Sequence, residues 1–386
     1  MDASNTESAP LAIYIHWPFC KKKCPYCDFN SHVRDGVDHA LWREMLLTEL
    51  RHWKPHVSGP VTSIFFGGGT PSLMEPATVE AIINEVQKLY GLDEDCEITL
   101  EANPTSVEAS KFHDLALAGV NRVSLGVQSL KEESLTFLGR EHTGREALDA
   151  VELAANTFLR YSFDLIYALP GHTPDLWEKE LKQALKYADG HLSLYQLTIE
   201  ENTAFHHAYH NQHAFDLPAE PVAADLYIRT QEIMDDACLP AYEISNHAPP
   251  GNESRHNLVY WRGDTYLGIG PGAHGRVGAL ATRTQKSPER WLEAVAREGT
   301  GLEEQTELDP VDRMEEKTLM GLRLIREGLD LNRFTDAELG AFNDRTNDDR
   351  ILKLVQQKLL VDEGDRLLAT TNGQLVLNAL ITELLK

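Results

Sequence analysis

The chain has 386 residues, and its 36 Lys and Arg stand against 60 Asp and Glu, a formal charge of −24. A surface that acidic repels phosphate backbones and disfavours bulk nucleic-acid binding, and no run approaches the roughly 20 apolar residues of a membrane-spanning helix. Five cysteines in a chain this long are not a disulfide framework.

The opening segment 1–10, MDASNTESAP, reads as a disordered tail and lacks the basic-then-apolar pattern of an export signal. A cytoplasmic location is therefore expected. Residues 11–17, 61–66, 97–100, 122–125, 161–169 and 192–199 are short β-rich apolar runs. Between them, 40–53, 75–89, 108–117, 144–156 and 174–187 carry helical periodicity. This spacing fits right-handed βαβ crossovers. Six such units predict an α/β fold with a parallel barrel or partial barrel over 11–240. A doubly wound open sheet is the alternative, because the sequence does not say whether the sheet closes. Either architecture places chemistry at the C-terminal ends of the strands.

Residues 241–305 read as an irregular segment containing the motif His256-Asn257-Leu258-Val259-Tyr260-Trp261 and a glycine-rich stretch, 263–275. Residues 306–386 are mostly helical (311–326, 335–342, 350–357 and 372–385), with two short strands around the turn Glu363-Gly364-Asp365. This pattern predicts a winged-helix-like appendage. Its acidity argues for docking or lid duty over DNA binding.

The motif that most directly carries chemistry is Cys20-x-x-x-Cys24-x-x-Cys27, which follows the first strand and the turn residues Pro18 and Phe19. Three thiolates on one loop can surround an iron–sulfur cluster. A four-iron cubane held by three cysteines keeps one iron open to a ligand. The competing reading is a zinc site with His16 or His32 as fourth ligand. After the second strand comes Phe66-Gly67-Gly68-Gly69-Thr70-Pro71, where glycines let backbone approach a ligand closely. It lacks the Lys-[Ser/Thr] pair of a P-loop. Glu101, Gln128, Arg140 and Asp164 fall at or just past later strand ends, as a barrel-mouth site requires. His206, His207, His210 and His213 read as a solvated stretch rather than a metal site.

The cysteine spacing, with Tyr26 before the third cysteine, resembles the signature of the radical SAM superfamily. The resemblance implies a [4Fe–4S] cluster on Cys20, Cys24 and Cys27. It also implies S-adenosylmethionine (SAM) chelated at the open iron and, on reductive cleavage, a 5′-deoxyadenosyl radical. It makes Gly68, Gly69 and Thr70 the loop that holds the SAM ammonium, and the fold a partial (β/α)6 barrel. Nearly the whole chain, from Leu11 onward, is similar to the coproporphyrinogen-dehydrogenase branch. There Tyr14, Tyr26, Glu101, Gln128, Arg140 and Asp164 match SAM contacts, with Arg140 expected on the SAM carboxylate. The stretch from Tyr266 to Gly275 is expected to close over the adenine.

Within that branch, oxygen-independent coproporphyrinogen III dehydrogenases carry a fourth cysteine two residues after the third, where this chain has Phe29. The segment HNxxYW resembles the motif of HemW-type haem chaperones. That resemblance implies haem as cargo, haem-accepting apoproteins such as respiratory enzymes at the membrane as partners, and His256, Asn257, Tyr260 and Trp261 as haem contacts. A histidine can ligate haem iron, and Tyr and Trp offer flat faces. Local packing and hydrogen bonding at the barrel mouth is the other reading of the same residues. Coproporphyrinogen oxidation is the alternative function, and whether the chain forms a homodimer is left open.

Overall fold

The computed structural model describes residues 10–346 and 348–386. Six parallel strands arise in series: β1 (Leu11–Trp17), β2 (Val61–Gly68), β3 (Leu92–Ala102), β4 (Arg122–Gln128), β5 (Arg160–Tyr167) and β6 (Leu192–Gln196). They alternate with helices α1 (His39–Trp53), α2 (Pro76–Tyr90), α3 (Phe112–Leu117), α4 (Gly144–Thr157) and α5 (Pro174–Ala184). Local chemistry sets the helix starts: Asp38 caps α1, Thr143 and Glu146 form a capping box on α4, and Pro76 and Pro174 occupy first turns.

Further on come α6 (Glu220–Asp236), β7 (Asn246–His247), α7 (Arg255–Trp261), β8 (Thr265–Ile269), β9 (His274–Val277), β10 (Leu280–Thr284) and β11 (Leu302–Glu307). The sheet order is β11-β10-β9-β8-β1-β2-β3-β4-β5-β6-β7. Strand β8 joins β1 in parallel, so seven strands run one way. The edges, β7 on one side and β9 to β11 on the other, are antiparallel. The sheet does not pair its two ends, so the barrel is partial. The segment read as irregular from sequence thus supplies five strands to this sheet, the last running on to Glu307. They were hard to see because each is only two to six residues long.

The expected helix over 108–117 is two short ones, Ser106–Ala109 and Phe112–Leu117. Buried Glu108 interrupts it by accepting from Asn103 N at 2.8 Å and, at close range, from Ser72 Oγ.

One apolar core lies between the sheet and its outer helices and contains Ile13, Ile15, Phe66, Leu100, Val123, Phe163 and Leu194. Inside it, Glu49 of α1 is fully buried and ties α1 to the later strands. It accepts from Gly270 N at 2.8 Å, Trp291 Nε1 at 3.0 Å and Gly301 N at 2.6 Å. The C-terminal unit has a core of its own around Met314, Phe342, Leu354, Leu367 and Leu380. It carries the expected strand pair, Leu360–Asp362 with Arg366–Ala369, joined by Leu329–Asp330. Among the described residues, no helix is long and apolar enough to cross a membrane.

Candidate functional site

The C-terminal ends of β1 to β5 converge on an open cleft with about 730 Å³ of empty space. Its walls include Cys20, Cys24, Cys27, Tyr26, Gly68, Gly69, Thr70, Glu101, Gln128, Arg140 and Asp164. Residues far apart in sequence meet because each sits at a strand end or on the loop that follows it. The cysteine loop is closed at its base by a short parallel pairing of Phe19 with His32 and Cys20 with Val33.

The glycine loop is shaped by two different neighbours. Gly68 has φ +115°, and its amide donates to Glu101 Oε2 at 3.2 Å. Gly69 N donates to Trp17 O at 2.7 Å and Thr70 N to Phe19 O at 2.8 Å. All three amides are therefore engaged, which removes the donors a phosphate cradle needs. Carbonyl oxygens remain as the loop's polar offer, and those suit an ammonium. A Cβ on Gly69 would lie 2.6 Å from Phe19 O. The glycine is thus needed first to seat the cysteine loop against β2, a reason separate from ligand approach.

Arg140 spans the far wall. Nη1 donates to Cys24 Sγ at 3.4 Å, and Nη2 to Asn103 Oδ1 at 2.6 Å and Gly126 O at 2.8 Å. Its Nε is buried without a partner. Gly126 makes this arrangement fit, since a Cβ there would meet Gln128 Nε2 at 2.8 Å. A register shift after Leu125 and a positive φ of 69° at Gln128 turn that side chain into the cleft.

Burial, then the neighbouring Asp164, pushes the Glu101 carboxyl up to about 8. Burial pushes Asp164 up to about 6. At neutral pH Glu101 is mostly protonated, and a cationic or hydroxyl-bearing ligand between the two would favour their ionised forms. Tyr14 Oη meets His16 Nδ1 at 3.0 Å, and His16 Nε2 meets Asn30 O at 2.9 Å. Tyr14 lines a second cavity beside the cleft, which shares Gly68, Glu101 and Phe29 with it.

The donor set fits a cluster better than zinc. Among the described residues, no three His, Cys, Asp or Glu side chains converge to hold a single metal ion. Both proposed fourth zinc ligands are engaged elsewhere: His16 as above, and His32 with Asn30 Oδ1 at 3.2 Å. Three thiols spread around a cleft, beside an arginine with an unpartnered buried N–H, suit a larger group that brings a carboxylate. Cys96 lies buried on β3 and Cys238 is exposed after α6, both away from the cleft walls.

The HNxxYW segment is helix α7, and its residues point in different directions. Its N-terminus docks on the N-terminal ends of the strands, where Glu97 Oε1 receives Ser254 Oγ at 3.3 Å and His256 N at 3.2 Å. His256 is 1% exposed, stacks on Phe65, and uses both ring nitrogens: Nδ1 with Ser63 Oγ at 2.9 Å, Nε2 with Tyr260 Oη at 2.8 Å. No lone pair is left for a haem iron, so the local-packing reading describes His256. Burial, then Arg122, lowers its pKa to about 3, which keeps the ring neutral. Asn257 N caps the helix start on Ser254 Oγ at 3.4 Å. Tyr260 lines the second cavity, whereas Trp261 packs against Tyr242, Ala248 and Leu324 on the C-terminal side. The motif thus faces two ways instead of forming one haem face.

The stretch from Tyr266 to Gly275 likewise contributes Tyr266, Gly272 and His274 to the second cavity and none to the cluster cleft. The four histidines of 206–213 lie on or beside the helix Ala204–Gln212, away from both. Asn103, Ser124 and Gly126 line the cleft unannounced. For Asn103, its place just past a strand end beside Glu101 was the available signal.

Comparison with known proteins agrees with this geometry. Residues 14–184 match the radical SAM superfamily and residues 308–376 the HemN C-terminal domain. Escherichia coli "Heme chaperone HemW" is 37% identical over 383 residues, 96% of this chain and 97% of that one. "Radical S-adenosyl methionine domain-containing protein 1, mitochondrial" of Danio rerio is 38% identical over 338 residues, 85% of this chain and 76% of that one. The solved coproporphyrinogen III oxidase HemN of E. coli superposes with a TM-score of 0.82 at 22% identity, covering 99% of this chain and 92% of that one, which establishes the shared fold. With its cysteine loop, its strand-end cleft and a relative matched along almost its full length, the chain belongs to the radical SAM superfamily, in the HemW-type family that carries a HemN C-terminal domain.

Proposed function

We propose that the chain is a haem chaperone that holds a [4Fe–4S] cluster on Cys20, Cys24 and Cys27, binds SAM in the adjoining cleft, and delivers haem to apoproteins. When bound, the cluster and SAM supply one-electron chemistry; the protein's own residues position and shield. Glycine-loop carbonyls face the SAM ammonium. Arg140 offers Nε to the carboxylate, and Glu101 and Asp164 receive ribose hydroxyls. Gln128 and Tyr26 complete the walls, and Tyr14 borders the cleft from the second cavity. The chaperone acts in the cytoplasm, and at the membrane where a client such as a respiratory enzyme resides.

The observation that carries the chaperone reading is Phe29. Its side chain is 58% exposed and lines both the cluster cleft and the second cavity. A coproporphyrinogen dehydrogenase carries a thiol there, and a phenyl ring cannot exchange hydrogen or electrons in its place. It does offer a flat apolar surface. The near full-length likeness to a protein named a haem chaperone supports the same assignment.

The test uses one anaerobically reconstituted sample. SAM should perturb the EPR spectrum of the reduced cluster, haem should bind saturably, and coproporphyrinogen III should not be converted. Multiple-turnover formation of protoporphyrinogen IX would refute the proposal in favour of the oxidase.

A further inference from the structure

The second cavity adjoins the cluster cleft and shares Gly68, Glu101 and Phe29 with it. Tyr14, Tyr260, Tyr266 and Phe29 form its aromatic walls, His16, Asn30 and Glu101 its polar ones, and His274 also lines it. Tyr260 and Tyr266 meet edge to face, with centroids 4.5 Å apart. Several aromatic walls around one open space suit a flat, largely apolar ligand with polar edges.

Two other histidines lie close by, and neither is available. His16 and His256 each have both ring nitrogens hydrogen-bonded. His274, the first residue of β9, is exposed, and among the described residues its ring makes no hydrogen bond to protein. Partial enclosure, then the cations Arg283, Lys286 and Arg276, lowers its pKa, with Glu304 opposing. The ring therefore stays neutral at physiological pH and keeps a free lone pair, the form that ligates metals.

The cations near His274 differ in how far they are already committed. Arg276 is paired with Glu316, and Arg283 with Glu303 and Glu304. Lys286 is exposed and makes no ion pair among the described residues. An aromatic cavity, a rim imidazole with a free nitrogen and an uncommitted cation together describe a receptor for a planar metal macrocycle bearing carboxylates.

We propose that haem seats in this second cavity with His274 as its axial ligand and Lys286 facing a propionate. This rests on the chaperone reading and relocates its cargo site from His256 to the opposite side of Tyr260. Coordination forms one bond from the imidazole nitrogen to iron and needs no proton or electron transfer.

The experiment titrates haemin into the full-length wild type, His274→Ala, Lys286→Glu and His256→Gln, followed by Soret absorption and EPR. Wild type should show a histidine-ligated spectrum. His274→Ala should shift the Soret band, weaken binding by about tenfold or more, and regain the wild-type spectrum when imidazole is added. Lys286→Glu should weaken binding without moving the band, a split that a folding defect does not produce. His256→Gln should keep the wild-type spectrum, since an amide can still bond Ser63 and Tyr260. An unshifted spectrum in His274→Ala, or a shift confined to His256→Gln, overturns the ligand assignment and leaves the chaperone reading standing. Absence of saturable haem binding by wild type overturns both.

Discussion

Replacing Arg140 by lysine separates charge from geometry in the SAM cleft. The guanidinium already holds Cys24, Asn103 and Gly126 through three of its five N–H groups, so the buried Nε and the second N–H of Nη1 remain for a ligand. One charge-assisted bond to the SAM carboxylate contributes about 1.5–3 kcal/mol, or roughly 10- to 150-fold in affinity. Lysine keeps the charge, but a single ammonium cannot hold Asn103 and Gly126 and also reach the carboxylate. Arg140→Lys is therefore expected to weaken SAM binding by about 10- to 100-fold while the iron content stays near wild type. Equilibrium dialysis with SAM and with decarboxylated SAM closes a double-mutant cycle. If Arg140 meets the carboxylate, the mutant should lose little further affinity when the carboxylate is removed. Fully additive losses, or an unchanged SAM affinity in the mutant, would refute the reasoning.

Three further outcomes follow from the same geometry. Cys20→Ser, Cys24→Ser and Cys27→Ser should each abolish the broad visible absorption of the cluster after reconstitution, whereas Cys96→Ser and Cys238→Ser should retain it; iron analysis checks both groups. Gly69→Val should lower iron incorporation and stability together, because its Cβ would stand 2.6 Å from Phe19 O and must displace the cysteine loop; wild-type iron content would contradict this. Burial raises Glu49 from 4.5 to about 7, so the folded state binds that proton more tightly than the unfolded state. Its stability contribution is complete below the unfolded value and falls as pH rises through that window, by about 3 kcal/mol in all. Urea midpoints across this range should show that slope in wild type and a flatter one in Glu49→Gln.

Much of this was readable from the amino-acid order, for reasons that differ by element. The six βα units were visible because the buried strands contain compact apolar runs and the helices carry their own period, several with a cap or a first-turn proline. The cysteine loop was visible because its three thiols are local in sequence. The remaining cleft residues could be placed at strand ends, and Arg140 and Asp164 do line the cleft. What the order of residues does not give is facing. HNxxYW reads as one recognition surface, yet residues 256 and 260 share a helical face while 261 projects from another. Only the tertiary neighbours Ser63, Phe65 and Leu324 reveal where those faces point. Strands β8 to β11 were missed because pairing partners, rather than their short sequences, define them.

Helix α7 therefore bridges two bodies. Tyr260 reaches the cavity beside the cluster, and its immediate neighbour Trp261 is clamped by Leu324 of the C-terminal half. The clamp is reinforced by Arg262 with Glu327 at 2.6 Å and by Arg326 with Glu253 at 2.7 Å. Two residues joined by one peptide unit cannot move independently over more than a fraction of a turn. On the proposed chaperone function, a client that pulled on the C-terminal half would strain the Trp261 contact and, through it, the helix that carries Tyr260 in the cavity wall. Docking at a distant surface and loosening of a bound cargo would then be a single motion.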